Sequence, residues 1–394
     1  MKQLLSLLFL SAAIAAAQNE SAITRDGAYW VRTIRGSIDI ASSDRLRVET
    51  TGNMTLRGAA GQQSSYTLTV RVRAADAREA ETLLDRVNVK TGTEGGWAYL
   101  MVAPPRLVSS GELTVTGPRA LRQVWAQTHG GNVQASDWDG DFEARSAGGR
   151  IAVDRIRGRG ELRTAGGDIE VGAVNGPLRC SSGGGVIRVQ NAGAEAWLET
   201  AGGEIFVHQA DGPVQASTGG GNIRIERAGS TVVARTAGGL IQVQQADGPV
   251  TAESSGGAIQ VNSANGVRCE SAGGAIRLRN VAGAVHALAN SGNILAELGP
   301  GRDASSKAME DSILSTNAGD ITVFIPSNLR LTVQAINETG GGSGRINSDF
   351  PDIHPRMGGF AGAGPLVAEG ALNGGGPMLR VNVVGGTIYL RRAK

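Results

Sequence analysis

Residues 200–225 read TAGGEIFVHQADGPVQASTGGGNIRI, and the pattern inside this stretch decides the fold. Two residues after Gly202-Gly203 stands Ile205, followed two further on by Val207. After Gly220-Gly221 the same places hold Ile223 and Ile225, so the unit recurs with a period of 18. Outward from this stretch, Gly pairs recur at 130/131, 148/149, 166/167, 184/185, 202/203, 220/221, 238/239, 256/257 and 273/274, with one deletion before the last. The aliphatic row behind them runs Val133, Ile151, Ile169, Ile187, Ile205, Ile223, Ile241, Ile259 and Ile276. Alternation of period two marks a half-buried strand.

The other half of each unit holds a second strand. Its inward rows begin with Phe142, Leu178, Val214, Val232, Val250 and Val267. They continue with Ala144, Leu162, Cys180, Leu198, Ala216, Ala234, Ala252 and Cys269. They close on hydroxyls: Thr128, Ser146, Thr164, Ser182, Thr200, Thr218, Thr236, Ser254 and Ser271. Asn175-Gly176-Pro177, Asp211-Gly212-Pro213 and Asp247-Gly248-Pro249 mark the turn between strands, where Gly is expected to supply positive φ and Pro to fix the next residue. The Gly pair forms the opposite corner, where a Cβ is expected to clash or strain.

One chemical type per row is what a coil stacked on its own copies requires. A meander of hairpins pairs unlike strands and needs no such rows. A hexapeptide helix, whose coils have the same length, wants an apolar residue every six positions. From Ile187 those positions hold Gly193 and Glu199, so that variant fails. The reading is all-β: a parallel β-solenoid with 18-residue coils. It is capped by a small strand-rich (α+β) N-terminal region and an irregular β C-terminal region, because open strand edges need cover.

The expected organisation is a signal peptide over 1–17, an N-terminal cap over 18–127, solenoid coils over 128–298, a linker at 299–312 and a C-terminal region over 313–394. The cap contains strand-like runs at 65–73, 98–103 and 111–115 and one helical stretch at 74–86. The motif resumes around Ile321 and Ile388, and the Gly-rich stretch 340–377 reads as a surface excursion. In the leader MKQLLSLLFLSAAIAAA, one Lys, a short apolar run and small residues point to cleavage between Ala17 and Gln18. Export follows, to periplasm, cell surface or medium. No later run is apolar enough to span a membrane, so no integral segment is expected after removal of the signal.

The 394 residues include 59 Gly but only 15 aromatics, and the net charge is +2. A balance so near zero predicts no nucleic-acid partner. The S/T-x-G-G-x-I-x-V unit (Thr164-Ala165-Gly166-Gly167-Asp168-Ile169-Glu170-Val171), the segment Ile321-Thr322-Val323-Phe324-Ile325-Pro326 and the C-terminal Gly386-Thr387-Ile388-Tyr389-Leu390 carry a resemblance. Over roughly 120–394 the chain resembles a bacterial family of exported β-repeat proteins described as putative adhesins, of unknown function. The resemblance implies a β-solenoid-like fold and an envelope or surface location, and it brings no catalytic residue.

Chemistry is sparse. The G-x-D ligands of calcium β-rolls are missing from every unit, because xIxV follows each Gly pair directly. Asp137-Trp138-Asp139-Gly140-Asp141 imitates a metal loop, but its Gly140 falls in the turn register of Gly176 and Gly212, so it reads as a turn. His129, His208 and His286 occupy different phases and His354 stands outside the coils, so zinc is not expected. No metal, cofactor or catalytic residue is assigned. Trp197 and Phe206 stand out as large aromatics in outward register on neighbouring strands; the first expectation is that a cap or loop covers them, and the alternative is glycan stacking or partner docking. Cys180 and Cys269, five coils apart, are expected as free thiols, because that separation far exceeds the reach of a disulfide. The functional expectation is a non-enzymatic adhesin or envelope scaffold whose partner is a surface glycan or protein. The alternatives are a carbohydrate-binding or polysaccharide-cleaving solenoid and a periplasmic module of a regulatory pathway.

Overall fold

The computed structural model describes residues 19–103, 108–299, 309–339, 345–358 and 364–393, and the statements below concern these. The leader with Ala17 and Gln18, and residues 300–308 of the expected linker, lie outside them. The chain divides into two compact units, Met1–Gly149 and Arg150–Lys394.

In the second unit each coil contributes one strand that opens on Ile and one that closes on a hydroxyl, and each kind pairs in parallel with its copy in the next coil. Ile187 faces Ile205, which faces Ile223; Thr200 faces Thr218, which faces Thr236. The register is the one that the spacing of the repeat predicts. Every residue of the Ile row from Ile151 to Ile276 is buried to 1% exposure or less, so each contributes about 1.5–3 kcal/mol of apolar burial.

A third inward residue on the Ile strand escapes the simple alternation. After Ile205 and Val207, His208 and Gln209 both face outward and Ala210 turns back in. The same place holds Ile156, Val174, Ala192, Ala228, Ala246 and Ala264, all buried. The backbone bends here: the equivalent of Gln209 has positive φ in Arg155 (53°) and Asn280 (45°).

The hydroxyl row holds the corners together. Thr218 Oγ1 donates to the carbonyl of Gly203 in the preceding coil at 2.9 Å and accepts from Gly221 N–H in its own at 3.2 Å. Thr200, Thr236, Ser254 and Ser271 repeat both bonds. Each hydroxyl thus satisfies a donor and an acceptor that the corner would otherwise bury.

This geometry separates the two corner glycines. A Cβ on the second of each pair (Gly185, Gly203, Gly221, Gly239) would lie far inside 3.0 Å of the preceding coil's Gly carbonyl. A Cβ on the first (Gly166, Gly184, Gly202, Gly220) meets nothing within 4 Å. Only the second glycine is sterically required, and the expectation of a clash holds for that one alone. The turn glycines differ from expectation too. Gly176, Gly212 and Gly248 do not have positive φ; their Cβ would press on the previous coil's backbone at 2.6–2.8 Å. Close stacking, not backbone handedness, selects Gly there.

At the C-terminal end the stacking order leaves the chain order. Met378–Gly385 pairs in parallel with Ser312–Ala318 on one side and Leu331–Asn337 on the other. Thr387–Arg392 likewise lies between Ile321–Ile325 and Arg345–Ser348. The outermost coil is therefore made of residues that precede its neighbour in sequence. Antiparallel Leu366–Leu372 covers Leu331–Asn337, and His354–Met357 pairs with Leu366–Leu372 in turn. The Gly-rich stretch 340–377, expected as a surface excursion, thus supplies one strand of the last coil, Arg345–Ser348, and the covering strands His354–Met357 and Leu366–Leu372, with Phe350, Ile353, Ala368 and Leu372 buried; its residues 340–344 and 359–363 lie outside the described residues.

The first unit has the same device. Gln123–Thr128 pairs in parallel with Asp141–Ser146 and with Arg45–Thr50, which pairs in turn with Trp97–Ala103. Asn53–Ala59 lies between Val133–Trp138 and Val108–Pro118 in the companion stack. The outermost coil here follows its neighbour in sequence. Antiparallel Ser65–Val72 and Asn88–Glu94 cover its two strands. The single helix among the described residues, Ala77–Leu84, is capped by Asp76, whose carboxylate accepts from Glu79 N–H at 2.9 Å. It buries Ala80 and Leu84. Trp138 fills the inward place at the bend, fully buried, and Asp139-Gly140 makes the turn, with Asp139 held by Arg119 at 3.0 Å.

Candidate outward binding surfaces

Since the inward rows are consumed by packing and by corner hydrogen bonds, function must use side chains that point out. Among the described residues no group of three or more His, Cys, Asp or Glu comes together as a metal site. Cys180 and Cys269 are free and fully buried, and burial pushes both thiols far above their ordinary pKa, which leaves them protonated and inert.

Trp197 and Phe206 both lie outward and half-buried, but on different strand stacks. Trp197 is on the hydroxyl strand Ala196–Thr200 and Phe206 on the Ile strand Ile205–Ala210, so the two do not form one site. Phe206 stands between Arg188 and Arg224 in its row. Trp197 has the Arg179 guanidinium 4.1 Å over its ring centroid. Around it opens a recess of about 240 Å³, rimmed by Arg159, Glu161, Pro177, Arg179 and Glu195. The stacked Arg179 covers one face of this ring.

A longer, shallower groove of about 700 Å³ runs across the second outward row of the hydroxyl strands. Its floor holds Ser217, Arg235, Glu253, Glu270, Leu288 and Ser315, one per coil. Arg235 and Glu253 form a bidentate pair at 3.0 and 3.2 Å, and Leu288 is 40% exposed.

The first unit carries outward aromatics that sequence reading passed over. Trp97, Tyr99 and Met101 all face outward from Trp97–Ala103, while Ala98, Leu100 and Val102 are buried beneath. Across the neighbouring strands Tyr99, Arg47, Trp125 and Glu143 stand in one row, and Trp97, Arg45 and Gln123 in the next. Arg45 stacks on Trp97 at 5.0 Å and Arg47 on Trp125 at 4.4 Å. The available signal was the strand WAYLMVA itself, apolar at both alternate sets where the repeat strands keep one set polar.

These features define a parallel β-solenoid with structured ends and aromatic–arginine stacks on its outer surface. The sequence matches no protein-family profile, and no curated protein matches it. Among solved structures it is similar to a putative adhesin from Bacteroides fragilis, at 14% identity over 62% of this chain and 95% of that one, with a TM-score of 0.34. It is also similar to a putative cell adhesion protein from Clostridium sporogenes, at 9% identity over 92% and 100% of the two chains, TM-score 0.20. A third is a putative lipid binding protein from Parabacteroides distasonis, at 15% identity over 76% and 98%, TM-score 0.25. Two of the three carry the adhesion description that the repeat motif led us to expect. What this chain binds has to be read from its own residues.

Proposed function

We propose that the protein is an exported, non-enzymatic binding scaffold of the bacterial envelope, adhesin-like in action, which attaches to a surface glycan or protein through its outward rows. The observation that carries this is the division of labour within each coil. Inward positions repeat one chemistry per row, whereas outward rows change from coil to coil and hold the half-buried Trp197 in an open recess. Rigid parallel strands hold such a ring in place at little entropic cost on binding. The leader over 1–17 supports export.

The test is attachment of the purified protein to bacterial and host cell surfaces. Trp197→Ala and Phe206→Ala are expected to keep the far-ultraviolet circular dichroism of the wild type and to weaken attachment. Two folded variants that attach like wild type would remove these rings from the account. A saccharide-cleaving reading is separated by a reducing-sugar assay, for which no product is expected.

A further inference from the structure

The aromatic face of the first unit has a construction of its own. Tyr99 pairs with Gly92 across the sheet, and a Cβ on Gly92 would sit 2.6 Å from the Tyr99 hydroxyl oxygen. The ring therefore lies flat over the neighbouring strand, in room that only a glycine leaves. Among the described residues no guanidinium is stacked on Tyr99. The strand on the side away from Gly92 carries both Arg45, stacked on Trp97, and Arg47, stacked on Trp125. Arg47 is held by Glu49 at 2.7 Å and remains half-exposed.

The charge on this face is compensated locally. Arg145 pairs with Glu143 at 2.7 Å and Arg122 with Asp44 at 2.7 Å, and the hydrogen bond from Arg122 holds the Asp44 carboxyl below the usual carboxylate range. Lys90 and Glu94 stand on the same side, opposite Met101 and Trp97. A polyanion gains little from cations already paired. A neutral ligand rich in hydroxyls gains from planar donors and acceptors and from aromatic faces that take its C–H surface. The row Tyr99, Arg47, Trp125 sets the backbones of its two aromatics two strand spacings, about 10 Å, apart, with the Tyr99 ring directed outward over Gly92.

We infer that the outward face around Tyr99, Arg47 and Trp125 is a binding site for a neutral glycan, with Tyr99 as the stacking platform and the Arg47–Glu49 pair as the hydroxyl-binding group. The inference rests on the reading of the protein as a binding scaffold, but uses residues of the first unit and none of those that rim the Trp197 recess.

Titration of the full chain with cellohexaose and chitohexaose, followed by calorimetry and tryptophan fluorescence, tests it. Wild type is expected to bind at least one of them. Tyr99→Ala should weaken binding about tenfold or more, about 1.4 kcal/mol, whereas Tyr99→Phe should retain it. Gly92→Ala, which displaces the ring without removing it, and Arg47→Gln, at an exposed position, should each weaken binding several-fold, and both guard against a folding defect in Tyr99→Ala. Absence of binding by folded wild type, or binding unchanged in Gly92→Ala and Arg47→Gln, overturns the inference. Cell attachment that persists in either case leaves the scaffold reading standing. Binding of a protein ligand alone at this face, with no hexasaccharide, likewise overturns the glycan assignment.

Discussion

The uniform coils from Arg150 to Gly274 and the coils at the two ends solve the same stacking problem by opposite rules of order. In the uniform region each coil rests on the one before it in sequence, and identity of neighbours does the work: Ile on Ile, hydroxyl on hydroxyl, second glycine under second glycine. At the ends the outermost coil is out of chain order, inserted between an antiparallel cover and a coil from elsewhere in the sequence. Repetition can extend a stack but cannot finish it, because every added coil presents the same unpaired edge. Leaving the chain order lets an antiparallel strand close what the repeat would leave open.

The first way to break this comparison is to put a charge into the uniform rows. Ile205→Asp places an unpaired carboxylate between Ile187 and Ile223 and is expected to cost several kcal/mol or more. Loss of the strand signal in circular dichroism is the expected result, with any binding lost alongside. Gly221→Ala comes next, since its Cβ meets the Gly203 carbonyl; a loss above the roughly 1 kcal/mol of an average substitution is expected. Gly220→Ala, one residue away in open space, should be neutral or gain up to about 1 kcal/mol. Urea melts of this pair ask whether the corner is steric at one residue or at both. Thr218→Val strands Gly221 N–H and the Gly203 carbonyl and should cost about 1–3 kcal/mol. The smallest expected effect is on thiols: denatured, unreduced protein should titrate two, from Cys180 and Cys269, while the native protein should react with neither.

The sequence made the uniform region legible because each position is written many times. One Ile after a Gly pair means little; the same residue type at a fixed spacing, pair after pair, sets strand, facing and register together. The inward row of Ala192, Ala210 and Ala228 stayed hidden for a local reason: two outward residues in succession shift the alternation by one, and a small Ala gives no signal. The asymmetry of the Gly pair was equally illegible, since both glycines recur and only the approach of the preceding coil distinguishes them. Of the candidate surfaces, Trp197 and Phe206 were visible from their register, and their different places in the repeat put them on separate stacks. The face around Tyr99 could not be assembled from spacing, because Trp97–Ala103, Arg45–Thr50 and Gln123–Thr128 are neighbours only through the reordered stack.

The central claim is that every repeat adds one strand of each kind to its own stack, in parallel. It is tested most directly by a distance between spin labels on one outward row. Arg188→Cys and Gln260→Cys, in a background with Cys180→Ala and Cys269→Ala, lie four coils apart in the row through Phe206, Arg224 and Gln242. Parallel stacking predicts a backbone separation of about 19 Å, four strand spacings. Hairpins laid side by side would set twice as many spacings between the same two residues, and a separation of about 38 Å would contradict the account.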